Sequence, residues 1–108
     1  MARNRDLLKG TLDLLVLKTL QLEPRHGIAV AERIAQMTRG TFDVKPGSLF
    51  PALHRLEQAG DIEGEWTQSA EGRRIKTYAL TPDGRRRLAA ETREWGRIVA
   101  AMAQVLES

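Results

Sequence analysis

Residues 46 to 60 read PGSLFPALHRLEQAG, and the spacing of the leucines in this stretch predicts a helix. Leu49, Leu53 and Leu56 recur at i, i+4 and i+7, which places them on one face and predicts that this face is buried. Both prolines of the stretch fall near its amino end, where a helix loses little by lacking an N–H donor. Gly60 is a typical left-handed stop residue. We therefore predict a helix whose first turn is stiff and contains small residues.

The opposite face of this predicted helix carries residue types that suit contact with DNA. On a helical wheel Phe50, Pro51 and His54 lie away from the leucines, with Ser48 and Arg55 on a flank. Small residues at the amino end allow close approach, free N–H groups favour phosphate, and an apolar side chain can contact thymine methyl groups. The alternative is that Phe50 packs within its own domain while His54 is an ordinary solvated residue. The pattern favours a recognition helix for the major groove.

Two helices precede this stretch, and a β-hairpin and a long helix follow it. The leucine-rich segment from about 7 to 22 and the segment from about 27 to 38 are predicted helices. After residue 60 the periodicity changes to two in DIEGEWT and RRIKTYAL, which predicts two strands around the turn SAEG. Trp66 is interpreted as core beneath this hairpin. Thr81 then N-caps a helix that has Pro82 at its first position.

This order is that of a winged helix-turn-helix: a mainly α fold with a small β-hairpin, extended by a long C-terminal helix. We predict a winged-helix DNA-binding domain over residues 1–80 and a C-terminal dimerisation helix over residues 81–108. At about 1.5 Å per residue, about 25 helical residues extend for nearly 40 Å, farther than the small domain can cover. A heptad-like apolar seam on this helix predicts a homodimer. The predicted seam comprises Leu88, Trp95, Ile98, Val99, Met102, Val105 and Leu106.

Cations next to the turn of the hairpin predict contacts with the phosphate backbone. Arg73, Arg74 and Lys76 follow the turn directly and are placed at or near its tip, where they give affinity and register but little sequence choice. Lys45 and Arg55 are added to the predicted phosphate contacts. Of the three arginines at 85–87, at most one or two are expected to face DNA, and the remainder are expected to be solvated.

Composition argues against several other classes of protein. The chain has 108 residues, a formal charge of +3 and no cysteine, which excludes disulfides, thiolate zinc sites and cysteine nucleophiles. His26 and His54 lack further ligands for a metal, and the sequence has no Gly-rich phosphate loop. We therefore predict that the protein is not an enzyme and binds neither a metal nor a cofactor. The longest apolar run near the amino end is four residues, too short for a signal peptide or a membrane span. A cytoplasmic protein without a membrane partner is expected.

Four stretches together resemble the PadR family of bacterial transcriptional regulators: LLKGTLDLLVLKTL, HG at 26–27, KPGSLFPALHRLEQAG and GRRIKTYALTPDG. The single C-terminal helix is similar to that of the compact subfamily. The resemblance implies a homodimeric winged-helix repressor on a palindromic operator in double-stranded DNA, with the last helix packed against the partner's first helix. Two positions depart from the pattern, because Phe50 stands where the family commonly has tyrosine and Ile28 where it usually has an aromatic residue.

The resemblance also implies a small aromatic effector. In some relatives a tryptophan of the last helix stacks with its symmetry mate and sandwiches flat aromatic drugs, and Trp95 matches that position. Leu8, Leu12, Leu15 and Val99 are candidate pocket walls on geometric grounds. The alternative is that Trp95 is simply core of the dimer interface.

A winged-helix module that binds protein, without sequence-specific DNA binding, is the rival hypothesis, because a fold does not fix a function. A DNA-binding protein should lose affinity steeply as salt rises, whereas a protein-docking module should show only weak attraction to DNA.

Overall fold

The computed structural model describes the backbone of residues 4–108 and the side chains from residue 10 onward. The fold is mainly helical with a small antiparallel sheet, as predicted. The elements in chain order are α1 (Asn4–Leu22), β1 (Arg25–His26), α2 (Gly27–Met37), α3 (Pro46–Gln58), β2 (Ile62–Gln68), β3 (Arg74–Leu80) and α4 (Pro82–Leu106). No helix in this described part of the chain is both long enough and apolar enough to cross a bilayer.

The sheet has one strand more than the predicted hairpin. Its order is β1-β3-β2, with β3 antiparallel to both neighbours. The added strand is only two residues long, Arg25 pairing with Tyr78 and His26 with Thr77. A pair of residues shows no alternation of polar and apolar side chains, so periodicity could not have revealed β1.

The core lies between α1, α2, α3, the sheet and the start of α4. The three predicted leucines of α3 are fully buried, which confirms the predicted inner face. Leu88 of α4 also belongs to this core, with only 4 % of its surface exposed. Assigning Leu88 to a seam with another copy was therefore wrong, because the first turns of α4 pack on their own domain. The core consists of Val16, Leu17, Leu20, Val30, Ile34, Leu49, Leu53, Leu56, Ile62, Tyr78, Leu80 and Leu88.

The pair His26-Gly27 joins β1 to α2 and receives the ring of Phe50. His26 Nδ1 accepts a hydrogen bond from the N–H of Ala29 at 3.4 Å and so caps α2. A Cβ on Gly27 would lie 2.9 Å from Cε1 of Phe50. Phe50 nevertheless leaves 45 % of its surface exposed. Its ring thus packs partly on its own domain, as the alternative held, and partly faces outward.

The start of α4 is fixed to the loop that follows α3. Thr81 caps the helix as predicted, because its Oγ1 accepts from Gly84 N–H at 3.0 Å and its own hydroxyl donates to Gly60 O at 2.7 Å. The N–H of Thr81 donates to Asp61 O at 3.1 Å. Gly60 has φ +82°, the left-handed geometry expected of a helix stop. This corner fixes the direction in which α4 leaves the domain.

An ion-pair cluster formed by Asp13, Arg55, Asp61 and Arg87 joins α1, α3, the α3–β2 loop and α4. Asp13 is 5 % exposed; its carboxylate accepts from Arg55 Nη2 at 3.0 Å and from Arg87 Nη2 at 3.3 Å. Arg87 Nη1 also donates to Asp61 Oδ2 at 2.7 Å. Burial disfavours the charged guanidinium, but these carboxylates outweigh it and raise the pKa of Arg87. Arg87 is therefore paired inside the fold, although about one-third of its side chain is exposed, at 32%.

Candidate nucleic-acid interface

The predicted contact residues of α3 lie within its first nine residues. Ser48, Phe50, Pro51 and His54 are all exposed, with Ser48 on a flank and the other three on the side opposite the buried leucines. Gly47 has open space where a Cβ would stand. The N-cap residue of α3 makes no side-chain capping bond within the described part of the chain, unlike the N-caps of α2 and α4. This end of α3 is small and exposed, with Ser48 N–H already donating to Lys45 O at 3.0 Å.

Lys45 lies immediately before α3 and is exposed. Its Nζ stands 2.6 Å from Asp43 Oδ2, and the side chains of both residues are largely open to solvent. An exposed ion pair of this kind contributes little and is screened by salt. Lys45 can therefore exchange this carboxylate for a phosphate at small cost.

Arg55, a predicted phosphate contact, is already paired with a carboxylate inside the chain. It points from α3 into the ion-pair cluster, where Asp13 neutralises it, and its Nε is buried without a partner in the described structure. The helical wheel placed Arg55 on the flank of α3 correctly. The wheel could not show that a carboxylate of α1, 42 residues away in sequence, lies against that flank.

The wing, defined here as β2, β3 and the turn between them, projects two arginines at its tip. Ser69 closes the turn through a hydrogen bond from its N–H to Arg73 O at 2.8 Å, and its Oγ accepts from Arg73 N–H at 3.1 Å. Gly72 takes the left-handed φ of +81° that the turn requires. Arg73 and Arg74 are exposed. Within the described residues neither makes an ion pair, so both charges are available to a phosphate.

Lys76 is not a tip residue, which corrects its predicted role. It lies in the middle of β3 opposite Trp66, and its Nζ donates to Glu57 Oε1 of α3 at 2.9 Å. This hydrogen bond raises the pKa of Lys76. Burial likewise raises the pKa of the neighbouring Tyr78. Lys76, which is partly exposed, thus ties the wing to α3.

Trp66 is exposed, and the interpretation of Trp66 as core was wrong. It stands on the same face of β2 as the buried Ile62, but 55 % of its surface is open to solvent. The guanidinium of Arg74 lies over its ring, 4.7 Å from the centroid. Alternation along β2 correctly predicted that Trp66 shares a face with Ile62. Whether Trp66 is buried depends on how far the core extends under that face, which alternation does not show.

A groove of about 570 Å³ lies between α1 and α4. Of the predicted pocket walls, the structure places Leu15 and Trp95 in this groove. Leu12 lines a different, smaller cavity, and Val99 is exposed farther along α4. The side chain of Leu8 lies outside the described residues. The groove is lined by Leu14, Leu15, Lys18, Gln21, Arg85, Leu88, Ala89, Thr92 and Trp95.

The later turns of α4 carry an exposed apolar stripe on the side of the predicted seam. Met102 is 56 % exposed, and Ile98 is half-buried. An apolar stripe of this length on a helix that extends beyond its own core favours a partner surface. The exposed large residues of the stripe are Trp95, Val99, Met102, Val105 and Leu106.

Comparison with known proteins identifies the family of this arrangement. A transcription regulator of the PadR family from a hypervirulent Clostridium difficile has the same fold, with a TM-score of 0.75 and 31% sequence identity over 88% of this chain and 97% of the other. A transcriptional regulator from Clostridium thermocellum, 23% identical, shares the fold alone, with a TM-score of 0.83 over 92% and 96% of the two chains. A transcriptional regulator from Mycobacterium tuberculosis is 38% identical over 58 residues, which are 54% of this chain and 53% of the relative. The sequence pattern described as the transcriptional regulator PadR-like family matches residues 16–90, and the chain therefore belongs to the PadR-like family of transcriptional regulators.

Proposed function

We propose that this chain acts as a homodimer that binds a palindromic operator in double-stranded DNA and represses transcription. The observation that carries the proposal is that α3 is exposed on one face while its leucine face is buried. Helices of this kind enter the major groove with their first residues against base edges. We assign Ser48, Phe50, Pro51 and His54 to contacts with bases or nearby sugars. Phe50 offers an apolar edge to thymine methyl groups, and His54 offers ring nitrogens to base acceptors or donors.

The phosphate contacts are assigned to Lys45, Arg73 and Arg74. Their charges are exposed, and those of the two arginines are unpaired among the described residues. Arg55 and Lys76 are left out of this set because their charges are already paired inside the chain. Contacts with the backbone position a protein on the duplex and carry most of the salt dependence of binding.

Selection of bound duplexes from a random pool tests the function as a whole. An inverted repeat is expected, with half-sites about 34 Å apart, because two recognition helices related by a two-fold axis read successive turns of one DNA face. Affinity for the selected duplex should fall steeply as salt rises. A pool that yields no enriched sequence, with weak attraction to all duplexes, would instead support the protein-docking module. Repression is tested by placing the selected repeat across a promoter, where expression of this chain should lower transcription.

Ser48→Glu is expected to weaken DNA binding at least about tenfold while leaving the fold intact. The new carboxylate lies in the first turn of α3, where its interaction with the helix dipole stabilises the helix by about 0.3–1 kcal/mol. The same carboxylate faces the phosphates of an approaching duplex. The repulsion between these like charges weakens binding by more than the dipole stabilises the helix. Titration of the selected duplex, together with thermal unfolding, measures both effects. Gln104→Glu near the end of α4 adds the same charge far from α3 and should bind as the wild type does; equal binding by both variants would contradict the assignment of α3.

For the dimer we propose that a second copy covers the apolar stripe of α4 with its α1. The stripe is exposed over its full length, and Leu14 and Leu15 of α1 are only partly buried. Packing α4 of each copy on α1 of the other would cover both surfaces at once. A two-fold symmetric pair of this kind also matches a palindromic site.

Met102→Glu is expected to raise the dissociation constant of the dimer at least about tenfold, because a carboxylate replaces an apolar side chain whose burial stabilises by about 1.5–3 kcal/mol. Sedimentation velocity over a range of protein concentrations measures the change. Gln104→Glu adds the same charge two residues farther along, on the opposite side of α4, and should remain dimeric. A wild-type chain that sediments as a monomer at every concentration would refute the dimer.

We further propose that the groove between α1 and α4 binds a planar aromatic effector. Trp95 lines this groove together with the partly buried Leu14 and Leu15, which suits stacking of a flat ring. Such a ligand would relieve repression by favouring one spacing of the two recognition helices. Titration of a Trp66→Phe variant with planar aromatic compounds should quench the remaining Trp95 fluorescence, and no quenching across a broad panel would leave Trp95 as interface.

A further inference from the structure

Aromatic and cationic side chains alternate along one face of the wing. The guanidinium of Arg74 lies 4.7 Å from the centroid of Trp66. Nζ of Lys76 lies 5.9 Å from the same ring and 5.5 Å from the ring of Tyr78. We call these four residues, Arg74, Trp66, Lys76 and Tyr78, the wing ladder. All three distances are within the range of cation–π contacts.

The strand register explains why these four side chains meet. Trp66 pairs with Lys76, Gly64 with Tyr78 and Gln68 with Arg74. Side chains two residues apart along a strand share a face, so Arg74 is the diagonal neighbour of Trp66 across the pair. Nearer the body the same face is covered by α3. At Trp66 the hairpin has run past that cover, and the ring is open to solvent.

The two cations of the wing ladder differ in whether their charge is paired. Lys76 donates to Glu57 of α3 at 2.9 Å, so its charge is used inside the chain. Arg74 makes no ion pair with any residue that the structure describes, and only the indole ring holds its guanidinium. The ladder therefore connects α3 to one unpaired cation near the wing tip through a series of direct contacts.

We propose that Trp66 is a positioning residue for DNA binding, which holds the guanidinium of Arg74 at a fixed place relative to α3. The inference rests on the proposed function. An arginine side chain has many rotamers, and stacking on an aromatic face removes much of that freedom before DNA arrives. A guanidinium whose central carbon lies over a ring still has N–H donors that point away from the ring and can bind a phosphate. Arg73, which has no aromatic contact in the described structure, lacks this support.

A double-mutant cycle on DNA affinity tests the proposal. Trp66→Leu should weaken binding of the selected duplex about 3- to 5-fold, the size expected when an exposed cation–π contact is lost. Arg74→Gln should weaken binding further and reduce the salt slope by about one phosphate contact. The variant with both changes should bind no more weakly than Arg74→Gln alone, because Trp66 acts only through Arg74.

Two controls separate positioning from a general effect on the wing. Trp66→Phe keeps an aromatic face and should recover most of the affinity lost in Trp66→Leu. The matched cycle of Trp66→Leu with Arg73→Gln should give losses that multiply, because Arg73 does not touch the ring. Thermal unfolding of Trp66→Leu should follow that of the wild type, since the indole is outside the core.

Each outcome has a distinct meaning. Losses that multiply in the Trp66–Arg74 cycle, with intact binding by the wild type, would overturn the positioning role and leave the proposed function standing. Equal coupling of Trp66 to Arg73 and to Arg74 would overturn it as well, because the ring would then support the wing as a whole. A wild-type chain that binds no selected duplex would overturn the proposed function and this inference together.

Discussion

Gly84→Ala is expected to destabilise the fold by about 3 kcal/mol, near the upper end of the cost of overpacking. A Cβ at this position would lie 1.9 Å from the main-chain oxygen of Asp61 and 2.7 Å from Cδ1 of Leu80. The oxygen cannot retreat easily, because it accepts the N–H of Thr81, and Asp61 N–H in turn donates to Leu56 O at 3.0 Å. Alanine gains about 1 kcal/mol of helix propensity over glycine. That gain is smaller than the clash, so the net effect is a loss.

The matched control for this substitution is Gly47→Ala in the first turn of α3. No atom lies within 4 Å of the Cβ that alanine would add there, so the fold should be unchanged or up to about 1 kcal/mol more stable. Chemical denaturation at one fixed protein concentration gives both values, since the proposed dimerisation would make stability depend on concentration. A Gly84→Ala midpoint equal to that of the wild type would show that α4 can shift away from the Asp61 loop.

Asp13→Asn is the second substitution with a large expected effect, a loss of about 2–3 kcal/mol. Removing one member of a buried ion pair leaves the remaining charge uncompensated, which typically costs about 3–5 kcal/mol. Here two guanidinium groups, those of Arg55 and Arg87, lose the same carboxylate. Each is about one-third exposed, at 34% and 32%, and water offsets part of the cost, so we place the expected value below that range.

Glu94→Gln provides the control for Asp13→Asn. It removes the same charge from an ion pair with Arg97 whose side chains are 80% and 56% exposed, and the expected change is within about 0.5 kcal/mol. Denaturation of the three proteins at the same pH and salt compares them directly. An Asp13→Asn variant as stable as Glu94→Gln would show that the ion-pair cluster contributes no more than an exposed pair.

The ion-pair cluster also has a bearing on the proposed regulation. Its members belong to α1, α3 and α4 and to the loop between α3 and β2, so the cluster links the proposed recognition helix to the helix proposed for dimerisation. Two residues of the groove are next to members of the cluster in sequence: Leu14 follows Asp13, and Leu88 follows Arg87. A ligand that moves α4 relative to α1 would therefore act on groups that hold α3 directly.

Prediction from the sequence succeeded where the signal is local. The buried leucine face of α3, the cap at Thr81 and the turn at residues 69–72 follow from spacings of at most a few residues, and the structure has them as predicted. Prediction failed for Trp66 and Lys76, although both were placed on the correct element. A period of two identifies which side chains share a face, but it does not tell how far the core extends under that face.

The same distinction applies to the charged residues of the candidate interface. The sequence could not show that Arg74 is available to a phosphate whereas Arg55 is paired. Nothing near Arg55 in the chain indicates that its partner is Asp13. The only general signal was an aspartate within a leucine-rich helix, since a buried carboxylate needs a cation. Asp13 carries that signal, but its two cations come from α3 and α4, 42 and 74 residues away.

By itself the sequence determined the order of the helices and of the wing and the inner and outer faces of α3, because helical period, caps and turns are set by neighbours along the chain. The family, too, could be identified from the sequence, because its motifs are contiguous stretches of residues. The tertiary structure alone decided which cations are free and which aromatic rings are exposed. It also decided where a glycine is required for contact, as at Gly84 against the main-chain oxygen of Asp61. These features depend on side chains that meet across tens of residues, and only the packed fold brings such residues together.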